Sequence, residues 1–130
     1  MISRRVVLAG IGAATLLTCG SVFAAEEQPF TPEAFQAAQD QHKPILVEID
    51  ASWCAVCRAQ KPILSELFAQ PKFKDLTVLR VDFDSQKKTV RSFGAKMQST
   101  LIVFKGREEV GRSVGQTEAG AIAALLDKAI

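Results

Sequence analysis

Ile45-Leu46-Val47-Glu48-Ile49-Asp50-Ala51-Ser52-Trp53-Cys54-Ala55-Val56-Cys57-Arg58 is the stretch whose reading decides the fold. Ile45 to Ile49 is a mostly apolar run introduced by the breaker Lys43-Pro44, and it reads as a buried central strand. Asp50 to Trp53 form the loop that leaves it. From Cys54 through about Ala69 the pattern turns helical, with Val56, Ile63, Leu64, Leu67 and Phe68 at spacings that build one apolar face. Pro62 falls inside that helix and should bend rather than end it, because the periodicity resumes beyond. Two thiols therefore stand one turn apart at a helix N-terminus, directly after a strand.

Working outward, Thr31-Pro32-Glu33 starts a helix to about Gln41, with threonine as the cap and proline already at the helical φ. Leu76 to Val81 reads as a strand, and Lys87 to Phe93 as a short helix closing before Gly94. Thr100 to Lys105 is the next strand. Gly106-Arg107 turns it into Glu108 to Val114, an antiparallel hairpin. Thr117 begins a helix carrying Ile122, Leu125 and Leu126 to the C-terminus. The order is helix, strand, helix, strand, helix, strand, strand, helix, with room for a short strand near Phe30. Such an alternation folds as a three-layer α/β sandwich.

The first two dozen of the 130 residues differ from the rest and read as an export signal. Arg4 and Arg5 lead into an apolar stretch from Val6 to Leu17 that is too short to span a bilayer comfortably. Val22-Phe23-Ala24 supplies the small residues a signal peptidase accepts, so residues 1–24 are expected to be cleaved and residues 25–130 to form one domain in the periplasm. Ser3-Arg4-Arg5-Val6-Val7-Leu8 resembles a twin-arginine signal, although a general secretory leader also needs basic residues. Leu16-Leu17-Thr18-Cys19 resembles a lipoprotein signal only faintly. The remaining chain carries 14 basic and 14 acidic residues. A neutral domain is a poor nucleic-acid binder.

Beyond the inner membrane disulfides persist. With Cys19 removed, Cys54 and Cys57 are the thiols left, and so short a loop stabilises little. Their chemistry explains them better. Helix N–H groups and the dipole favour a thiolate on the first cysteine. Only a thiolate attacks a disulfide, so Cys54 is the expected nucleophile and Cys57 the residue that releases the mixed disulfide. The competing readings are two structural cysteines or half a zinc site, but zinc needs four ligands and no second pair exists to supply them. No cofactor is expected and no metal is assigned.

Taken together these residues resemble the thioredoxin family over nearly all of residues 25–130. The strand, tryptophan and helix of residues 45–58 match, as do Pro62-Ile63-Leu64, Thr100 to Gly106, and Gly111-Arg112-Ser113-Val114-Gly115. The resemblance implies a thioredoxin-like sandwich whose mixed central sheet has helices on both faces. Its implied function is thiol-disulfide oxidoreductase, acting as a monomer on protein disulfides. It places Glu48 as a buried acid behind the second cysteine, suited to move a proton to or from Cys57; the alternative is an edge carboxylate reaching water. Trp53 would cover the thiols and contact substrate, or serve as a core aromatic. Where the family keeps a cis-proline before the last hairpin, this chain has Ser99, followed by Thr100. A serine bond prefers trans by about 2.5 to 4 kcal/mol, so Ser99 and Thr100 are expected to meet a bound peptide differently. Strong oxidases of the superfamily usually place a histidine between the cysteines, whereas Ala55-Val56 points to a reductase or electron relay fed by an inner-membrane thiol donor. A copper-binding or copper-delivery module would use the same thiols with His42 or Met97, although His42 precedes the strand at its far end. Cysteine-protease chemistry would need a histidine beside the thiolate, and His42 is the one histidine of the sequence.

Overall fold

The computed structural model describes Ala14 and residues 24–130. Apart from Ala14 and Ala24, the expected leader, with its arginine pair and Cys19, lies outside the described residues. The elements run β1 (Glu26–Pro29), α1 (Pro32–Asp40), β2 (Pro44–Asp50), α2 (Ala55–Phe68), a 3-10 turn (Pro71–Phe73), β3 (Thr77–Asp82), α3 (Lys87–Ser92), β4 (Thr100–Lys105), β5 (Glu108–Val114) and α4 (Ala119–Asp127). The sheet has five strands in the order β1-β3-β2-β4-β5. β3 runs parallel to both β1 and β2, while β4 is antiparallel to β2 and to β5. β2 therefore lies at the centre.

Strand side chains alternate between faces, and that alternation sorts the core into two layers. Leu46, Val78, Leu101 and Val103 pack with Leu64, Leu67 and Phe68 of α2 and Ile122, Leu125 and Leu126 of α4. Ile45, Val47, Ile49, Leu79, Ile102 and Phe104 face the other way, against α1 and α3. On that side Phe35 meets Phe93 and Phe104 edge-on, with ring centroids 5.4 and 5.2 Å apart. The expected sandwich is the observed one.

Local chemistry sets the boundaries. The Thr31 hydroxyl accepts the Ala34 N–H at 3.0 Å and starts α1 before Pro32. Gly106 takes a φ of +60° in the β4–β5 turn, a conformation open to glycine at little cost. Gly111 lets β5 approach α4, since a Cβ there would meet the Leu125 side chain at 3.0 Å.

Two expectations need correcting, and one element lies outside them. Val56 does not belong to the apolar face of α2: it is 38% exposed, and Cys57 and Gln60 take the buried positions with Leu64, Leu67 and Phe68. The last helix starts at Ala119 rather than Thr117 and ends at Asp127. The Gln116 side-chain oxygen accepts the N–H groups of Thr117 and Glu118 at 3.1 and 3.0 Å and so delays it. The 3-10 turn at Pro71–Phe73 was not foreseen; it buries Phe73 completely.

Leu46 is fully buried on the central strand between α2 and α4. Leu46→Ala should lower stability by about 2–5 kcal/mol through lost burial and a residual cavity. Urea denaturation should show this as a lower midpoint at unchanged slope.

Candidate functional site

β2 delivers the chain to the end of the sheet, and Asp50 to Trp53 carry it over into α2. Cys54 is the N-cap of that helix, with an extended backbone (φ −83°, ψ 113°). Its sulfur accepts the Cys57 N–H at 3.1 Å, so a sulfur does what a serine or aspartate oxygen usually does at such a terminus. Both cysteines are free thiols, each 2% exposed, packed with Ala51. The Cys54 N–H donates to the Ala51 carbonyl at 3.2 Å, which fixes the loop against the helix.

The two sulfurs are not equivalent. The Cys57 thiol is pushed up to about 12, chiefly by burial, then by its hydrogen bond to Cys54, with the charges of Cys54 and Asp50 adding to it. A backbone hydrogen bond from Ala51 works in the opposite direction. Cys57 therefore holds its proton while its neighbour occupies the positive end of the helix.

Trp53 is 55% exposed, so the core-aromatic reading fails. Its indole N–H donates to Asp84 at 2.7 Å and its ring meets Phe83 edge-on, which anchors an exposed apolar face beside the thiols. Glu48 is 3% exposed on the central strand, so the alternative of an edge carboxylate reaching water also fails. Burial raises its pKa, against the pull of Arg80, whose Nε donates to Glu48 at 3.4 Å while its Nη2 reaches Glu27 at 2.8 Å.

The segment before β4 arrives at the same end of the sheet, because Thr100 pairs with Ile49. Among the described residues no peptide bond is cis, and Ser99 instead adopts a φ of +59°. Its N–H donates to the Ile49 carbonyl at 2.8 Å and its hydroxyl to the Gln98 carbonyl at 2.5 Å. The Thr100 hydroxyl donates to the Met97 carbonyl at 2.7 Å. Both side chains are turned inward, and Met97 supplies the exposed face of this loop. His42 stands across the length of β2 from the cysteines, just before Pro44, so the copper reading lacks its histidine. Among the described residues no group of three His, Cys, Asp or Glu side chains could hold a metal ion.

The thioredoxin family model matches residues 26–128. The chain belongs to the thioredoxin family. The thioredoxin of Alicyclobacillus acidocaldarius is 38% identical over 85 residues, covering 65% of this chain and 80% of that protein. Thioredoxin C-2 of Corynebacterium nephridii is 35% identical over 101 residues, 77% of this chain and 93% of its own. Among solved structures, Trxlp from Edwardsiella tarda EIB202 superposes with a TM-score of 0.76 at 42% identity, covering 78% of this chain and 98% of that one. Membership makes the protein a thiol-disulfide oxidoreductase acting on protein disulfides, with Cys54 and Cys57 as its Cys-Xaa-Xaa-Cys pair.

Two residues passed over in the sequence border this family site. Asp50 bonds Lys61 through Oδ2 at 2.9 Å, while its Oδ1 is buried without a hydrogen-bond partner among the described residues. Gln60 is 1% exposed, and its amide donates to the carbonyls of Ser99 at 3.3 Å and Gln116 at 2.8 Å. The signal for Asp50 was a polar residue in register with Glu48 on one strand face. For Gln60 it was a position three residues beyond Cys57 and four before Leu64, on the buried stripe.

Two measurements follow from these geometries. Ser99→Gly relieves a left-handed serine and should raise stability by about 1 kcal/mol, whereas Ser99→Pro cannot keep that φ and loses the bond to Ile49, so it should lower the denaturation midpoint. For Glu48, the folded chain holds the proton more tightly than the unfolded one. Its contribution is complete below the ordinary value of 4.5 and is lost as pH rises through the elevated folded value. Wild type should therefore lose stability relative to Glu48→Gln above pH 4.5, read from urea midpoints across pH; parallel profiles would contradict the burial argument.

Proposed function

We propose that this protein is an exported reductase or electron relay for protein disulfides, with Cys54 as nucleophile and Cys57 as resolving thiol. The observation that carries the reading is the Cys54 sulfur at the start of α2, accepting the Cys57 N–H at 3.1 Å while Cys57 stays protonated. The Cys54 thiolate attacks one sulfur of the partner's disulfide. One S–S bond forms, another breaks, and the departing sulfur takes a proton from water. Cys57 then passes its proton to Glu48 and attacks the Cys54 sulfur. The Cys54–Cys57 disulfide forms as the bond between Cys54 and the partner breaks, the second partner sulfur leaves as a thiolate that takes a proton from water, and two electrons have moved to the partner.

The buried carboxyl of Glu48, whose pKa is raised by burial, supports that proton role, because such a group accepts a proton more readily than an exposed carboxylate does. Trp53, Val56 and Met97, all large and exposed, support contact with an apolar stretch of the partner. In this reading Ser99 and Thr100 shape the contact through their backbone.

Export rests on residues 1–24 read as a cleaved leader, by the twin-arginine or the general route, leaving residues 25–130 as a monomeric periplasmic domain. The start of β1 at Glu26, two residues past Ala24, supports that boundary. In an oxidising compartment the dithiol must be recharged, and an inner-membrane thiol donor supplies that need. Ala55-Val56 between the cysteines supports the reducing direction.

Reduced Cys57→Ser protein mixed with insulin should accumulate a mixed disulfide at Cys54, seen by mass spectrometry, and Cys54→Ser should form none. Absence of the trapped species would overturn the nucleophile assignment. Equilibration with glutathione should give a potential near the roughly −270 mV typical of thioredoxins; a value near about −120 mV would sink the reducing direction.

A further inference from the structure

Gln60 sits on the buried stripe of α2, one turn past Cys57, where an apolar side chain would complete the core. A buried amide is costly unless its donors are used. Both N–H groups of Gln60 find carbonyls: Ser99 at 3.3 Å and Gln116 at 2.8 Å. The Ser99 carbonyl also accepts the Gly115 N–H at 3.0 Å, so three segments converge on one point: the cysteine helix, the loop before β4 and the residues after β5. Ser99 needs such support. A serine at a φ of +59° lies in sparsely populated backbone space and persists only where its surroundings over-determine it. Its remaining polar groups are committed inward, to Ile49 and Gln98, so the loop offers a partner its shape and the exposed side chain of Met97.

We propose that Gln60 is a positioning residue for protein-disulfide recognition, holding the Met97–Ser99 loop in register with the cysteine helix so that a polypeptide partner can seat beside Cys54. This rests on the dithiol reading above. A small disulfide makes contact mainly at the sulfurs, whereas a polypeptide also needs the loop in place. The tie therefore acts on selection between partners more than on sulfur exchange itself.

The test uses the reduced full chain with insulin as the polypeptide disulfide and glutathione disulfide as the small one. Gln60→Met keeps the volume and deletes both donors. The ratio of kcat/KM for insulin to that for glutathione disulfide should fall about tenfold, with the loss carried mainly by KM for insulin, as for one well-placed hydrogen bond. An unchanged ratio, whether or not both activities drop together, overturns the proposal and leaves Gln60 as packing. If Gln60→Met does not fold, Gln60→Glu carries the test. A protonated carboxyl can donate one hydrogen bond to these carbonyls and an ionised one cannot. The insulin-to-glutathione ratio for Gln60→Glu should thus recover towards wild type as pH falls, and a ratio that tracks wild type at every pH overturns the proposal. Failure of wild type to exchange with either disulfide would instead defeat the dithiol reading.

Discussion

A helix must satisfy the free N–H groups of its first turn, and in this protein the atom that does so at the decisive place is a sulfur. Cys54 both caps α2 and is one of the two thiols of the Cys-Xaa-Xaa-Cys pair, so the requirement that starts the helix is the one that fixes the position of this sulfur. The rest of the molecule supports that arrangement. β2 occupies the centre of the sheet, so its end is held by neighbours on both sides, and Ala51 fixes the last step into the helix. The second sulfur lies within the same turn yet keeps its proton, because burial and nearby negative charge oppose its ionisation.

Charge is distributed across the same face with an alternating sign. Arg80 stands between Glu27 and Glu48, and Lys61 pairs with Asp50. A buried carboxyl without such company would be far costlier, yet the partnership stops short of cancelling the desolvation of Glu48. The outcome is an acid that is retained in the core and still inclined to hold a proton. Toward solvent, the site offers instead an indole tethered by Asp84 and two aliphatic side chains.

Much of this was legible because the relevant physics is local. Pro44 and the apolar run after it announce β2, the cysteine spacing announces the helix start, and Gly106 announces the hairpin. What escaped was set by distant parts of the chain. Val56 looked like a core residue because valine fits an apolar face, but Cys57 and Gln60 hold the inward positions. The spacing of Gln60 from Cys57 and Leu64 marks its place on the buried stripe, but nothing local announces what its amide bonds, since its carbonyl partners lie 39 and 56 residues away. The left-handed backbone of Ser99 had no glycine or asparagine to advertise it. The start of α4 shifted because one glutamine side chain bonds to the two N–H groups that follow it.

The placement of Glu48 and Asp50 on alternate positions of β2 has a consequence for how the chain finds its structure. Ile45, Val47 and Ile49 point toward the phenylalanine-rich layer, and the carboxylates toward their cations on the opposite side. Sliding this strand by one residue would reverse every side chain, burying two acids among aromatic rings and turning isoleucine and valine toward arginine and lysine. So large a penalty disfavours any one-residue slip of the central strand, and the acidic groups of the reactive end thus also specify its alignment.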